Sequence, residues 1–281
     1  MKRYDVKPKK NLGQHFLNDP MIASRIADTV DACPDLPILE VGPGTGALTQ
    51  HLLNKHRELH VIELDRESIA YLKEAFPMLR KTLIEGDFLH IDLKSLFNGK
   101  PFVLTGNYPY NISSQIFFKM LDHKDIIPCC TGMIQKEVAE RLCSPPGNKN
   151  YGILSVFVRA WYHTEYLFTV DETVFTPPPR VKSAVVRFTR NEVTDLGCDE
   201  QLFKRIVKTT FNQRRKMMRG SIKPLLSQLD NQFHQANPLS TPPDHSLLLA
   251  TEIFTKRPEQ LDVADFILLT NTIKEHYDNG I

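Results

Sequence analysis

The chain has 281 residues, 41% hydrophobic and 24% charged, with a net charge of +2 at pH 7, the balance of a soluble globular protein long enough for one large domain or a large one plus a small one. No apolar run approaches the roughly 18 residues that cross a bilayer, and the opening "MKRYDVKPKKNLGQHF" has basic residues with no apolar stretch behind them, so neither a membrane span nor a signal peptide is expected. The five cysteines (Cys33, Cys129, Cys130, Cys143 and Cys198) are odd in number and form no CxxC pair, which argues against a disulfide framework or a zinc site and for a reducing, cytoplasmic setting.

"LPILEVGPGTG" reads as a buried strand, Ile38 to Val41, running into a glycine-rich turn, and "ALTQHLLNKH" then has helical apolar spacing. "ELHVIELD" is a second strand and "SIAYLKEAF" a second helix; "TLIEGDF" is a short third strand. "PFVLTGNYPY" is a fourth, followed by the helix "SSQIFFKML", and "CTGMIQ" is a fifth, leading into "KEVAERL". Strands alternating with helices predict an open, mostly parallel α/β sheet. After Tyr151 the pattern changes. "YGILSVFVRAWYH" suits a helix, while "EYLFTV" and "SAVVRFTR" suit strands. Between those two strands lies "DETVFTPPPRVK", whose three prolines leave no room for a crossover helix, so the two strands are expected to be antiparallel. Residues 189–199 look like a linker, and "EQLFKRIVKTTF", "SIKPLLSQL", "PDHSLLLATEIF" and "DVADFILLTNTIKEHY" read as helices. The expected organisation is a sheet domain over 1–188, with a basic N-terminal arm, and a small all-helical domain over 189–281.

In such a sheet, ligands bind outside the carboxyl ends of the strands. Gly42 of the glycine turn, Glu63, Asp87 and Asn107 all fall there, spaced 21, 24 and 20 residues apart, about one βα unit each. A glycine turn alone is compatible with a dinucleotide, a mononucleotide or no ligand. Pro43, however, removes an N–H that a phosphate would want. An acid at the end of the second strand suits a ribose diol, and one at the end of the third can accept from an adenine amino group. The competing role for Glu63 and Asp87 is helix N-capping. Taken as an ordered set, the four suit a nucleoside without a phosphate chain, of which S-adenosylmethionine is the obvious one.

"GNYPY" then has a chemical reading. The adenine N6 amino group is a poor nucleophile because its lone pair is delocalised into the ring. Oxygen acceptors on its hydrogens draw the nitrogen towards tetrahedral geometry; Asn107 offers a side-chain oxygen, and the carbonyl of Pro109 offers another. Tyr110 offers a face on which an extruded base can stack. The product ammonium is acidic, so no strong general base is needed.

"NLGQHFLND", "EVGPGTGALT", "VIELD", "EGDFL", "GNYPYNIS", "VFTPPPRVKSAV" and "FNQRRKMMRGSI", in that order across nearly the whole chain, resemble the KsgA/RsmA ribosomal RNA adenine dimethyltransferase family. The resemblance implies a Rossmann-like methyltransferase sheet and S-adenosylmethionine as cofactor. It also implies dimethylation of N6 of two adjacent adenosines near the 3′ end of small-subunit ribosomal RNA, in small-subunit biogenesis. Carried over by resemblance, His15 and Leu17 touch the cofactor from the N-terminal arm, Gly42 forms its cradle, Glu63 holds the ribose, Asp87 the adenine, and Asn107 faces the methyl group. Tyr110 and Phe175 sandwich the target base. Tyr108 stands where many relatives have Leu, a packing difference that leaves the chemistry in place, with a reshaped pocket rim as the alternative. The rivals are a macrolide-resistance-type methyltransferase of large-subunit RNA, which as a rule lacks "FNQRRKMMRGSI", and a ribosome-assembly factor without catalysis.

Charge is uneven. Residues 2–10 carry Lys2, Arg3, Lys7, Lys9 and Lys10 against Asp5, and Phe203 to Leu229 carries eight basic residues and no acid. Within the latter, Arg214, Arg215, Lys216 and Arg219 are the expected RNA-docking residues, with pairing to acids such as Asp244 or Glu252 as the alternative. The expected partner is ribosomal RNA or the immature small subunit, bound by a monomer.

Overall fold

The computed structural model describes residues 6–278; Lys2 and Arg3 of the basic arm lie outside the described residues. The chain forms two compact units, one of Met1–Cys143 with Trp161–Asn191, the other of Ser144–Ala160 with Glu192–Ile281. This differs from a contiguous division at 188/189 in two respects: the sheet unit runs on to Asn191, and 144–160 groups with the helical unit. Its aromatic side chains explain the grouping, since Tyr151 and Phe157 pack on Phe211 and Phe203, each pair at 6.1 Å between ring centroids.

Among the described residues the first unit contains nine strands: β1 (Phe16–Leu17), β2 (Ile38–Val41), β3 (Leu59–Glu63), β4 (Leu83–Glu85), β5 (Val103–Thr105), β6 (Cys129–Gln135), β7 (Tyr162–Val170), β8 (Phe175–Thr176) and β9 (Ser183–Arg190). Seven form one sheet in the order β4-β3-β2-β5-β6-β9-β7. The first five of these are mutually parallel, and β9 is antiparallel to both β6 and β7. Its helices are α1 (Pro20–Asp28), α2 (Thr49–Leu53), α3 (Arg66–Ala75), α4 (Ser113–Asp122) and α5 (Lys136–Cys143). The short apolar runs "ILEV" and "VLT" are buried along their whole length, as strands covered on both faces are. Helix starts follow capping chemistry: Asp19 accepts from Met21 N and Ile22 N with Pro20 at the first helical position, and Asp65 caps α3. From β2 the chain steps outward through β3 to β4, then returns to β5 on the other side. The crevice of this reversal opens at the carboxyl ends of β2 and β5.

The proline-rich stretch between β7 and β9 makes no crossover. Instead it carries β8, which pairs antiparallel with β1, setting Phe16 against Thr176 and Leu17 against Phe175.

The second unit contains α6 (Ile153–Trp161, whose last residue belongs to the first unit), α7 (Glu200–Phe211), α8 (Met218–Ser221), α9 (Lys223–Ala236), α10 (Ser246–Ala250) and α11 (Val263–Asp278). The stripe of Leu202, Phe203, Ile206, Val207 and Phe211 on α7 is buried, with Phe203 and Phe211 packing on Phe266 of α11 at 6.4 and 6.1 Å. "PDHSLLLATEIF", expected as one helix, breaks at Thr251, whose backbone is extended (ψ 150°) and whose hydroxyl bonds back to the Leu248 carbonyl.

Candidate active site

The strand-end residues converge on one pocket in the first unit. It is lined by His15, Leu17, Gly42, Glu63, Asp87, Asn107, Pro109 and Tyr110, all expected from sequence, and by Glu40, Phe16, Leu64 and Phe88, which were not. Phe175 does not line it.

Gly42 has φ +67°, a conformation L side chains rarely adopt; its turn brings bare backbone to the pocket wall. Glu63 is 5% exposed and binds the same turn, accepting from Gly44 N (3.0 Å), Leu64 N (2.8 Å) and Asp65 N (2.9 Å). Burial pushes its pKa up and the three N–H groups pull it back, leaving it raised. Glu63 is therefore no helix cap; Asp65 fills that role for α3. Asp87 accepts from Leu89 N (2.9 Å) and faces His90 Nδ1 at 3.0 Å.

Glu40, the one carboxylate in "ILEV", is buried beneath the glycine turn. Thr49 donates to its Oε2 at 2.7 Å, and burial, reinforced by the nearby Glu63 charge, pushes its pKa up to about 8. A lone acid in an otherwise apolar strand was the signal for it.

Residues 9–18 cross the pocket as a strap. Lys9 pairs with Asp65, and its Nζ also reaches Glu67 at 3.2 Å. The His15 ring lies against Tyr110 (5.4 Å between centroids, 29° between planes), its Nδ1 bonds to the Pro177 carbonyl at 2.8 Å, and its own carbonyl accepts from Asn107 Nδ2 at 3.1 Å. That last bond turns the amide so that Oδ1 is the end with no hydrogen-bond partner among the described residues. The Pro109 carbonyl accepts from Ile112 N at 3.2 Å and keeps a second lone pair. Tyr110 is half-buried and its hydroxyl bonds to Ser183 Oγ. Phe175 stands apart from this group: at 3% exposure it packs in the core with Leu17, Val170 and Val185, because pairing of β8 with β1 folds the strap over it.

The pocket lining contains three acidic side chains, Glu40, Glu63 and Asp87, of which burial holds Glu40 largely neutral, and no Lys or Arg. A pyrophosphate would meet like charge here, whereas a cationic sulfonium nucleoside meets opposite charge and hydroxyl acceptors. These residues therefore fit S-adenosylmethionine. Among the described residues no cluster of three His, Cys, Asp or Glu is placed to hold a metal.

In the second unit the four basic candidates separate. Arg214 is committed: it donates to Glu259 Oε2 through Nε (3.1 Å) and Nη2 (2.7 Å) and to the Lys149 carbonyl at 2.7 Å. The acid is Glu259 and neither Asp244 nor Glu252, because Asp244 instead caps the turn at Ser246. Arg215, Lys216 and Arg219 are exposed.

The ribosomal RNA adenine dimethylase family matches residues 6–249. "Ribosomal RNA small subunit methyltransferase A" of Phocaeicola vulgatus is 64% identical over 274 residues, covering 98% of this chain and 92% of that protein. The crystal structure of a dimethyladenosine transferase from Plasmodium falciparum is similar with a TM-score of 0.77 and 26% identity, covering 93% of this chain and 98% of the other. The 23S rRNA methyltransferase ErmE shares the fold, with a TM-score of 0.61 and 24% identity over 91% of this chain and 99% of its own. With its acid-lined nucleoside pocket beside an Asn-Tyr-Pro-Tyr turn, the chain belongs to the ribosomal RNA adenine dimethylase family and is an S-adenosylmethionine-dependent enzyme that dimethylates adenine in ribosomal RNA.

Proposed function

We propose that the RNA is that of the small ribosomal subunit, and that the enzyme, a cytoplasmic monomer, dimethylates N6 of two adjacent adenosines near its 3′ end while the subunit is immature. What supports this is the 64% identity, across nearly the full length of both chains, to a relative named for the small subunit. The fold likeness to a large-subunit enzyme is weaker in identity and supports no assignment of substrate.

The cofactor supplies an electrophilic methyl group on a cationic sulfur. Glu63 holds its ribose, Asp87 its adenine, Gly42 gives backbone access, and His15 and Leu17 close the pocket from the strap. Asn107 Oδ1 and the Pro109 carbonyl accept from the two N6 hydrogens of the target base and stabilise positive charge as it develops on nitrogen. The proton is then lost to solvent. Tyr110 gives the base its stacking face, which requires the His15 ring to withdraw. Phe175 completes the clamp only if the strap lifts from it, because β1 now covers it. Arg215, Lys216 and Arg219 offer exposed charge to RNA phosphates, while Arg214 holds the helical unit together.

The test is incubation of the protein with labelled cofactor and either unmethylated small-subunit particles or large-subunit RNA, followed by mass spectrometry of the RNA. Dimethyladenosine in the small-subunit arm alone is the expected result. Its absence there, or its appearance only in the large-subunit arm, overturns the assignment.

A further inference from the structure

Tyr108 sits between the two proposed acceptors, Asn107 and Pro109, yet points away from them. Side chains alternate along an extended segment, so with Asn107 directed into the pocket Tyr108 is directed into the sheet. It is 1% exposed. Its hydroxyl donates to the Thr131 carbonyl on β6 at 2.9 Å, with Cys130 Sγ at 3.3 Å, and its ring meets the edge of Phe117 on α4 at 5.8 Å and 74°. Burial pushes its pKa well above the usual tyrosine range.

The backbone on either side is tied to the same strand. Met133 N donates to the Gly106 carbonyl (2.9 Å) and Tyr108 N to the Met133 carbonyl (3.0 Å), bridging Asn107 to Met133. The ring occupies room left by Gly132, where a Cβ would stand 2.8 Å from it and would collide with the Gly106 carbonyl. Gly132 has φ +142°, outside what a side chain accepts readily. Ring, hydroxyl and missing side chain form one fitted joint between the acceptor loop and β6.

The chemistry says where this joint weighs most. An unmethylated N6 carries two hydrogens, one for each acceptor. After the first transfer it carries one, so a single hydrogen bond orients the nitrogen and a misplaced loop is no longer corrected by the second. We propose that Tyr108 is a positioning residue: its buried hydroxyl, through Thr131, fixes the spacing of Asn107 Oδ1 and the Pro109 carbonyl, and the second methyl transfer depends on this more than the first. The inference rests on the acceptor roles given above to Asn107 and Pro109.

Tyr108→Phe keeps the ring and removes only the hydroxyl. In single-turnover reactions on ribosomal particles, followed by mass spectrometry, the second transfer should slow by about tenfold, so that N6-monomethyladenosine accumulates. Cofactor affinity by calorimetry should stay within about twofold of wild type, since the hydroxyl removed is bonded to the Thr131 carbonyl and not to Glu63 or Asp87, the carboxylates proposed to hold the cofactor. Phe117→Leu loosens the packing on the same ring but leaves the hydroxyl bond; it should lower the melting temperature without raising the monomethyl fraction. A wild-type ratio of mono- to dimethyladenosine in Tyr108→Phe overturns the proposal, as does an equal rise in Phe117→Leu, which would mean that any softening of the core has the same effect. Asn107→Ala separates the two layers: if it retains both transfers, the acceptor reading itself fails, whereas its inactivity beside an unaltered Tyr108→Phe condemns the positioning role alone.

Discussion

The pocket of the sheet unit and the segment Phe211–Ser221 of the helical unit handle charge in opposite ways. In the pocket, Glu40 and Glu63 are buried, bonded to named protein donors and pushed towards their neutral forms. In that segment of the helical unit, Arg215, Lys216 and Arg219 are exposed, whereas Arg214 is drawn into an ion pair with Glu259. Buried charge is set by backbone geometry and recognises one small molecule. Exposed charge is set by composition and suits any polyanion within reach. Substitutions in the first region should therefore have large, ligand-specific effects, and those in the second small, salt-dependent ones.

The largest effect is expected at Glu63. Glu63→Ala should weaken S-adenosylmethionine binding by about 1.5–3 kcal/mol, the range for hydrogen bonds to a charged group. Calorimetry giving equal affinity for variant and wild type would remove Glu63 from the ribose role. Next comes Glu40, through pH. Its folded pKa of about 8 lies above the ordinary carboxyl value, so the folded state holds this proton more tightly than the unfolded chain. Stability from this group is therefore full below about pH 4.5, declines as pH rises towards 8 by at most about 1.4 kcal/mol per unit, and is level above that. Glu40→Gln should raise the melting temperature relative to wild type at pH 9 and lose that advantage at pH 5; a gain independent of pH would show that ionisation is not the cause.

In the helical unit, Arg214→Ala should cost about 1 kcal/mol of stability, because the pair with Glu259 is partly solvated and the Lys149 carbonyl loses its donor. Thermal melting reads this directly, and an unshifted curve would mean that the pair holds nothing together. The smallest effect, and the one that most sharpens the contrast, is that of Arg215→Ala with Lys216→Ala. Melting should be unchanged, while the slope of log affinity for ribosomal particles against log salt should flatten by about 0.7–0.9 for each phosphate left without its cation. An unchanged slope would leave this segment with no role in docking.

The sheet was legible because its signals are local. Each strand run is short, most of the first five are followed by helical spacing, and Gly42, Glu63, Asp87 and Asn107 recur at about one βα interval. The antiparallel pairing of β7 with β9 followed from three prolines that leave no room for a crossover helix. What escaped the sequence was set by tertiary contact. Nothing in "VFTPPP" says that β8 pairs with β1 and buries Phe175; that depends on residues about 160 positions away. Nothing near Arg214 names Glu259, because a cation can pair with any acid the fold brings close. The grouping of 144–160 with the helices was hidden for the same reason: its aromatic residues declare burial but not a partner.

The strap has a consequence for how the enzyme is made. Its anchors lie far along the chain: Asn107 is 92 residues from His15, Thr176 is 158 from Asn18, and Pro177 is 162 from His15. Contacts so distant in sequence close late, after local elements have formed, because the entropy of closing the intervening loop must be met first. During synthesis the strap emerges before these anchors, the most distant of which lies 162 residues further along the chain. A nascent chain that stops short of Pro177 already carries all the cofactor candidates from His15 to Asn107, yet lacks the carbonyl that anchors the His15 ring. Closure of the strap thus waits for the chain to reach Pro177, and a shorter chain is left with the cofactor candidates but no finished site.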